Sequence, residues 1–242
     1  MKKTLWQNSA FIIPYILFLL IAGIFLFLNS KGEAHLILNQ YRFTFFDYFF
    51  FCATYAGDGI AVVALTLLLC FVKYRYAILV AASNSIAALL TQTLKHTLFA
   101  DVVRPKKFFE GIAELNVVPY VENYLYNSFP SGHTTAAFAT FFCGALLIEN
   151  KWLKFLMFLI AVTIGFSRVY LSQHFLSDVY AGSLIGVITS LLMYQFVFIS
   201  ERTKNISWME KSITVRSSGA RSSEYGEKQH RTPNSRTPNS LR

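Results

Sequence analysis

The sequence predicts an all-α protein: a six-transmembrane-helix bundle with an interfacial helix and an extracytoplasmic loop. Three observations carry this reading. Apolar types make up 54% of the 242 residues and charged types 14%, where soluble domains carry about a quarter. Mean hydropathy is +0.43. The few charges cluster between long charge-free runs. Together these exclude a disordered chain, a disulfide scaffold and an ordinary soluble enzyme, and they imply a chain whose solvent is largely lipid.

The runs follow in order. Thr4–Ser30 has no charge and follows Lys2 and Lys3. It is long enough to span, and no small-x-small cleavage site follows it, so it reads as an uncleaved anchor. Residues 31–58 mix charges with the aromatics of Tyr41–Tyr55 and suit an interfacial helix. Gly59–Val72 is short, so the second span is expected to begin earlier, near Thr54. Ala77–Leu94 is the third span, and residues 95–133 form a polar connection. Thr134–Ile148 is the fourth, starting at Ser131. Phe155–Val169 is the fifth and Val179–Ser200 the sixth. Gly182 and Gly186 in the sixth have the small-x-x-x-small spacing that permits close helix packing. These spans define a membrane domain over residues 1–200. Residues 201–242 lack apolar periodicity, end in a tandem Arg-Thr-Pro-Asn-Ser, and are expected to form a disordered cytoplasmic tail.

The net charge of +9 divides into +5 for residues 200–242 and +4 for the body. Basic cytoplasmic segments of membrane proteins account for such a sum, and no basic-aromatic patch points to nucleic acid. With the N-terminus inside, Lys73, Arg75, Lys151, Lys154, Arg202 and Lys204 all fall on the inner side. Cys52, Cys70 and Cys143 are irregularly spaced in apolar stretches and read as small buried hydrophobes.

Three polar groups sit at span ends: Lys95 with Arg104-Pro105; Pro130-Ser131-Gly132-His133; and Ser167-Arg168, five residues, His174, three residues, Asp178. Counting crossings puts all three on one membrane face, whichever face holds the N-terminus. Their joint chemistry suits phosphoryl transfer. Lys95, Arg104 and Arg168 supply cationic donors for phosphate oxygens. Ser131 has the character of a helix N-cap, leaving the N–H groups of Gly132 and His133 toward an anion. His174 and Asp178 share a helical face, where a carboxylate can fix the imidazole tautomer. His174 with Asp178 also has the spacing of a metal-ligand pair.

This set resembles the type 2 phosphatidic acid phosphatase superfamily of integral-membrane lipid phosphatases. The second and third blocks match that pattern residue for residue. The first departs from it, with eight residues between Lys95 and Arg104 where the family has six. Either the helix ends before Arg104, near Asp101, or Lys95 is not a phosphate ligand and Lys106 or Lys107 replaces it. The resemblance implies His174 as nucleophile, forming a phosphohistidine, Asp178 orienting it, and His133 protonating the leaving alkoxide. It implies Lys95, Arg104, Ser131, Gly132 and Arg168 as the phosphate site, with no metal and no other cofactor. Soluble vanadium-dependent haloperoxidases share the constellation but not six apolar spans.

The expectation is therefore a metal-independent phosphatase acting on a phosphorylated lipid in the bilayer. Phosphatidylglycerophosphate, undecaprenyl diphosphate, phosphatidic acid and lipid A phosphate all suit it. In a bacterium its active site would lie on the periplasmic face of the inner membrane, with residues 99–130 and 41–55 shaping a headgroup pocket. The alternative is a transporter or channel for an anionic substrate, which would more often place charge in mid-span or at broken helices.

Overall fold

The long charge-free runs form helices, because a chain in lipid must satisfy its backbone polar groups internally. The computed structural model describes residues 2–214, and every regular element among them is helical. Short α1 (Lys2–Gln7) leads into α2 (Ser9–Leu28). Helix α3 (Lys31–Asn39) starts at a capping box, in which Ser30 Oγ accepts from Glu33 N (3.3 Å) and the Glu33 carboxylate accepts from Ser30 N (2.9 Å). The aromatic segment forms α4 (Thr44–Thr54), followed by a 3₁₀ turn (Tyr55–Gly57) and α5 (Gly59–Val72).

Near Thr54, where the second span is expected to begin, α4 ends, and the next helix starts at Gly59. The chain bends by 55° between α4 and α5. Asp58 makes the break: its Oδ1 accepts from Ile60 N (3.3 Å) and caps a fresh helix. Beyond lie α6 (Tyr74–Thr97), the short α7 (Pro105–Phe108), α8 (Gly132–Leu147), α9 (Lys151–Tyr170) and α10 (Leu176–Tyr194), which ends in a π-helical turn over Gln195–Ile199.

Among the described residues four helices are long and apolar enough to cross a bilayer: α2, α6, α9, and α10 with its π turn. Counted as one broken span, the bent α4–α5 pair would make a fifth. Helix α8 has 16 residues, about 24 Å, and is the most enclosed. It packs between α6, α9 and α10, burying Ala137, Phe138, Ala139, Phe142 and Cys143 completely. Phe11 and Tyr15 of α2 and Phe158 of α9 close one side of this core. Polar links between helices run along α8. Ser190 Oγ donates to Ala139 O (2.9 Å), Asn84 pairs with Thr140 (3.1 Å), and Cys143 Sγ meets Ser83 Oγ (3.3 Å). Side chains such as Ile13, Phe27, Ile60, Leu68 and Leu89 point outward as a lipid-facing belt.

The close packing expected at Gly182 and Gly186 is present. A Cβ on Gly182 would lie 2.7 Å from Ser131 O, and one on Gly186 would lie 2.5 Å from Thr135 O. Both glycines therefore let α10 rest on the backbone of α8.

The segment from residue 201, expected to be disordered, begins as packed chain. Arg75, only 2% exposed, donates to the carbonyls of Val197, Thr203, Lys204 and Ile206 and pairs with Glu210 of a 3₁₀ turn (Ser207–Glu210). A buried guanidinium needs such acceptors, which is why this stretch folds back. The rest of the tail lies outside the described residues.

Gly186→Ala should lower the apparent melting temperature in detergent by several degrees, an overpacking cost of about 1–3 kcal/mol. Gly132→Ala meets open space and should leave it unchanged.

Candidate active site

The turn between α9 and α10 carries His174. It wraps back onto Arg168, whose carbonyl accepts from Gln173 N (2.9 Å) and His174 N (3.1 Å). Ser172 takes a left-handed conformation (φ 54°) to make this reversal. The wrap buries His174 to 1% exposure and aims its Nδ1 at Asp178 Oδ2, 3.3 Å away. That oxygen also accepts from Ser128 Oγ (2.5 Å) and Phe175 N (3.0 Å). A carboxylate so engaged acts as acceptor, which holds the imidazole proton on Nδ1 and leaves Nε2 with its lone pair. Burial pushes the His174 pKa down; the Asp178 hydrogen bond opposes this, while Arg104 and Arg168 add to it. The balance favours the neutral ring.

Helix α8 enters from the other side. Ser131 is its N-cap: Ser131 Oγ accepts from Thr134 N (3.4 Å) and Thr134 Oγ1 (2.9 Å). Ser131 N donates to the Asp178 carbonyl (3.0 Å), which fixes the start of α8 to α10. Gly132 and His133 occupy the first turn, where no intrahelical acceptor exists for their N–H groups.

The cations converge here. Lys95, Arg104 and Arg168 are 7%, 9% and 7% exposed. They lie within electrostatic range of His133, and Lys95 also of Asp178. The eight-residue gap is accommodated because α6 ends at Thr97. A turn then follows, with Val102 N bonded to Phe99 O (3.2 Å), and Arg104 returns toward the site. Lys106 is exposed and Lys107 pairs with Glu110 (2.5 Å), so neither replacement joins the cluster.

Neutral oxygens position the guanidiniums. Arg104 Nε donates to Tyr126 O (2.9 Å), and its Nη1 to Gln173 O (3.2 Å) and Gln173 Oε1 (3.3 Å). Arg168 donates to Thr54 Oγ1 (2.6 Å) and Gln173 Oε1 (3.5 Å). Arg168 Nε is buried with no partner. Three cations thus face one enclosed carboxylate, with an unsatisfied donor among them, an arrangement that suits a phosphate. Among the described residues no three His, Cys, Asp or Glu side chains converge as a metal site would need.

Gln173, Thr54 and Ser128 escaped the sequence reading. Gln173 holds both arginines and is itself fixed by donating to Glu122 O (2.8 Å) and Asn123 Oδ1 (2.7 Å). It sits in the five-residue spacer, and its place just before His174 was the available signal. Thr54 is a small hydroxyl at the end of an aromatic run. Asp58, with no role assigned from sequence, lies near His133 and Arg168 at the α4–α5 break.

Fold and site together define a helical membrane protein with a buried cation cluster and a carboxylate-oriented histidine at one end of its bundle. The PAP2 superfamily model matches residues 74–202, and the chain belongs to that family, as the motif resemblance implied. It is 26% identical over 171 residues to the bacitracin transport permease protein BcrC of Bacillus licheniformis, covering 70% of this chain and 77% of that one. It is 32% identical over 146 residues to an undecaprenyl-diphosphatase of Sulfolobus acidocaldarius, covering 60% and 67%. The crystal structure of Aquifex aeolicus LpxE superposes with a TM-score of 0.59 at 27% identity, covering 67% of this chain and 93% of that one.

Gln173→Leu removes the acceptor shared by Arg104 and Arg168. Orthovanadate, a phosphate mimic, should bind about ten- to a hundredfold more weakly, since hydrogen bonds to charged groups contribute about 1.5–3 kcal/mol; titration calorimetry checks this.

Proposed function

We propose that the protein is a metal-independent lipid phosphatase that cleaves a phosphate monoester or diphosphate from a membrane lipid headgroup. The observation that carries this is the buried Arg168 Nε without a partner, set among Lys95, Arg104 and the first turn of α8. A phosphate there would receive Arg168 Nε, the other two cations and the N–H groups of Gly132 and His133, with Ser131 shaping the turn.

In this reading His174 Nε2 attacks the terminal phosphorus and its P–O bond to the leaving group breaks, a lipid alkoxide from a monoester or a lipid phosphate from a diphosphate. His133 donates a proton to the departing oxygen. Water, deprotonated by the same His133, then attacks the phosphohistidine and releases phosphate. Asp178 stabilises the imidazolium while Nε2 is bonded. The cationic cradle stabilises charge on the equatorial oxygens, the largest contribution to phosphoryl transfer.

The remaining assignments follow from this reading. Helix α8 also crosses, fourth in chain order, and brings the spans to six; the N-terminus and the tail are cytoplasmic, and the site opens on the periplasmic face of a bacterial inner membrane. Residues 99–130 and α4 flank the headgroup. A polyprenyl diphosphate heads the candidate substrates, in line with the name of the archaeal relative.

The name of the B. licheniformis relative favours a second reading, transport of an anionic substrate. Charges gathered at one end of apolar spans count against it. The two separate in detergent, where transport has no meaning and phosphate release persists.

Purified protein should release phosphate from at least one member of a panel of undecaprenyl diphosphate, phosphatidylglycerophosphate, phosphatidic acid and lipid A. His174→Ala should reduce release to background; retained turnover would remove the nucleophile assignment. His133→Ala should cost about 10²–10⁴-fold on lipid alkoxides but far less on a phenolic leaving group, measured as kcat with each substrate.

A further inference from the structure

The end of the bundle opposite His174 holds a second polar cavity, of about 540 Å³. Lys154 stands in its wall, 4% exposed, and its Nζ donates to Gln7 O (2.8 Å) and Asn8 Oδ1 (2.6 Å). Asn8 is itself oriented by donating to Thr4 O (2.7 Å). An ammonium has three N–H donors, so one remains for a ligand. Lys151 lies one helical turn away on the same lining. Opposite them, Phe198 stacks on Tyr194 (4.8 Å) and Tyr76 (6.3 Å). The floor is apolar, made by Leu147 and Ile148, and exposed Glu149 supplies the single carboxylate on the lining.

Lys154 and Arg168 are fourteen residues apart on α9, about 21 Å along its axis. The cavity therefore belongs to the other membrane face, and the phosphatase reading makes no use of it.

We propose that this cavity binds an anionic phospholipid of that face, its phosphate on Lys154 and Lys151 and the start of its chains against the aromatic wall. A buried ammonium is costly unless an opposite charge meets it; both hydrogen-bond partners of Lys154 are neutral amide oxygens, and exposed Glu149, without a hydrogen bond to it, is the one carboxylate within electrostatic range. Basic pockets between spanning helices on the cytoplasmic side bind acidic headgroups in this way. A zwitterionic headgroup would bring its own ammonium toward two lysines. A free anion would leave the apolar floor uncovered. The bound lipid would bridge α1–α2, α9 and the end of α10, elements that meet here through Lys154 and through Gln195 Nε2 donating to Thr4 Oγ1 (3.1 Å).

The test uses the full chain in a neutral detergent, with orthovanadate present to fill the catalytic cradle. Phosphatidylglycerol, phosphatidylcholine and inorganic phosphate are titrated separately, reading melting temperature and, by native mass spectrometry, retained lipid. Phosphatidylglycerol should raise the melting temperature and remain bound; the other two should do neither. K151Q alters an exposed side chain and should weaken phosphatidylglycerol about fivefold, the expected value of one lysine at a membrane surface. K154Q should abolish retention, while His174→Ala should not change it. Equal responses to the two lipids, equal affinity in wild type and K151Q, or loss of binding in His174→Ala would each overturn the proposal. An equal shift from inorganic phosphate would replace the lipid with a free anion and overturn it as well. If K154Q does not fold, the wild-type and K151Q arms decide alone.

Discussion

Three buried cations that must not be neutralised from within set the terms for the rest of this fold. Lys95, Arg104 and Arg168 repel one another, and the carboxylates that oppose them are Asp178, enclosed with them, and half-buried Asp58 near Arg168. Asp178 is already committed to His174, Ser128 and Phe175 N. The protein holds the guanidiniums with dipoles instead of counter-charges: Tyr126 O, both oxygens of Gln173, and Thr54 Oγ1. These acceptors fix position without cancelling charge. The cluster keeps an excess of positive potential in a poorly solvated place, where it acts strongly on an anion.

That requirement explains the irregular parts of the structure. The α4–α5 break exists where Thr54 must reach Arg168, and Gly57 lets it approach the site: a Cβ there would meet Ile164 Cγ2 at 2.6 Å and His133 O at 2.9 Å. The connection from α6 to α8 returns twice, with Arg104 N bonded to Leu125 O and Ser128 N to Val102 O (both 2.9 Å). It delivers Arg104 and Ser128 from opposite strands of one loop. Asp178 is the meeting point, because its carboxylate gathers the loop and the histidine while its carbonyl takes the start of α8.

The regular parts of the molecule were legible in the sequence for a simple reason. Lipid forces helices wherever charge is missing, and crossing parity then assigns each polar group to a face. Thus His133, His174 and the three cations could be brought together without coordinates. The Ser131 cap was legible because it depends on residues within one turn. What escaped depends on main-chain oxygens and long separations. Gln173 acts through residues 51 and 69 positions away, and Ser128 through one 50 away. The end of α6 at Thr97 also left no clear mark, since Leu98 and Phe99 continue the apolar pattern. Residues 201–214 fold for the sake of Arg75, a partner far earlier in the chain.

The shortness of α8 has one more consequence. Its sixteen residues rise about 24 Å against a hydrocarbon thickness of about 30 Å. If α8 crosses untilted, as proposed, with its last turn beside Glu149 and Lys151 at one surface, its first turn would stop roughly 6 Å below the other. The cation cluster would then be a well sunk beneath headgroup level. A phosphate fastened to a hydrophobic tail can be drawn down into it, because the tail stays in oil throughout. A water-soluble phosphoester has no such anchor and must leave bulk solvent unaided. Depth alone, before any contact with a headgroup, would then sort lipid phosphates from the dissolved ones that surround them.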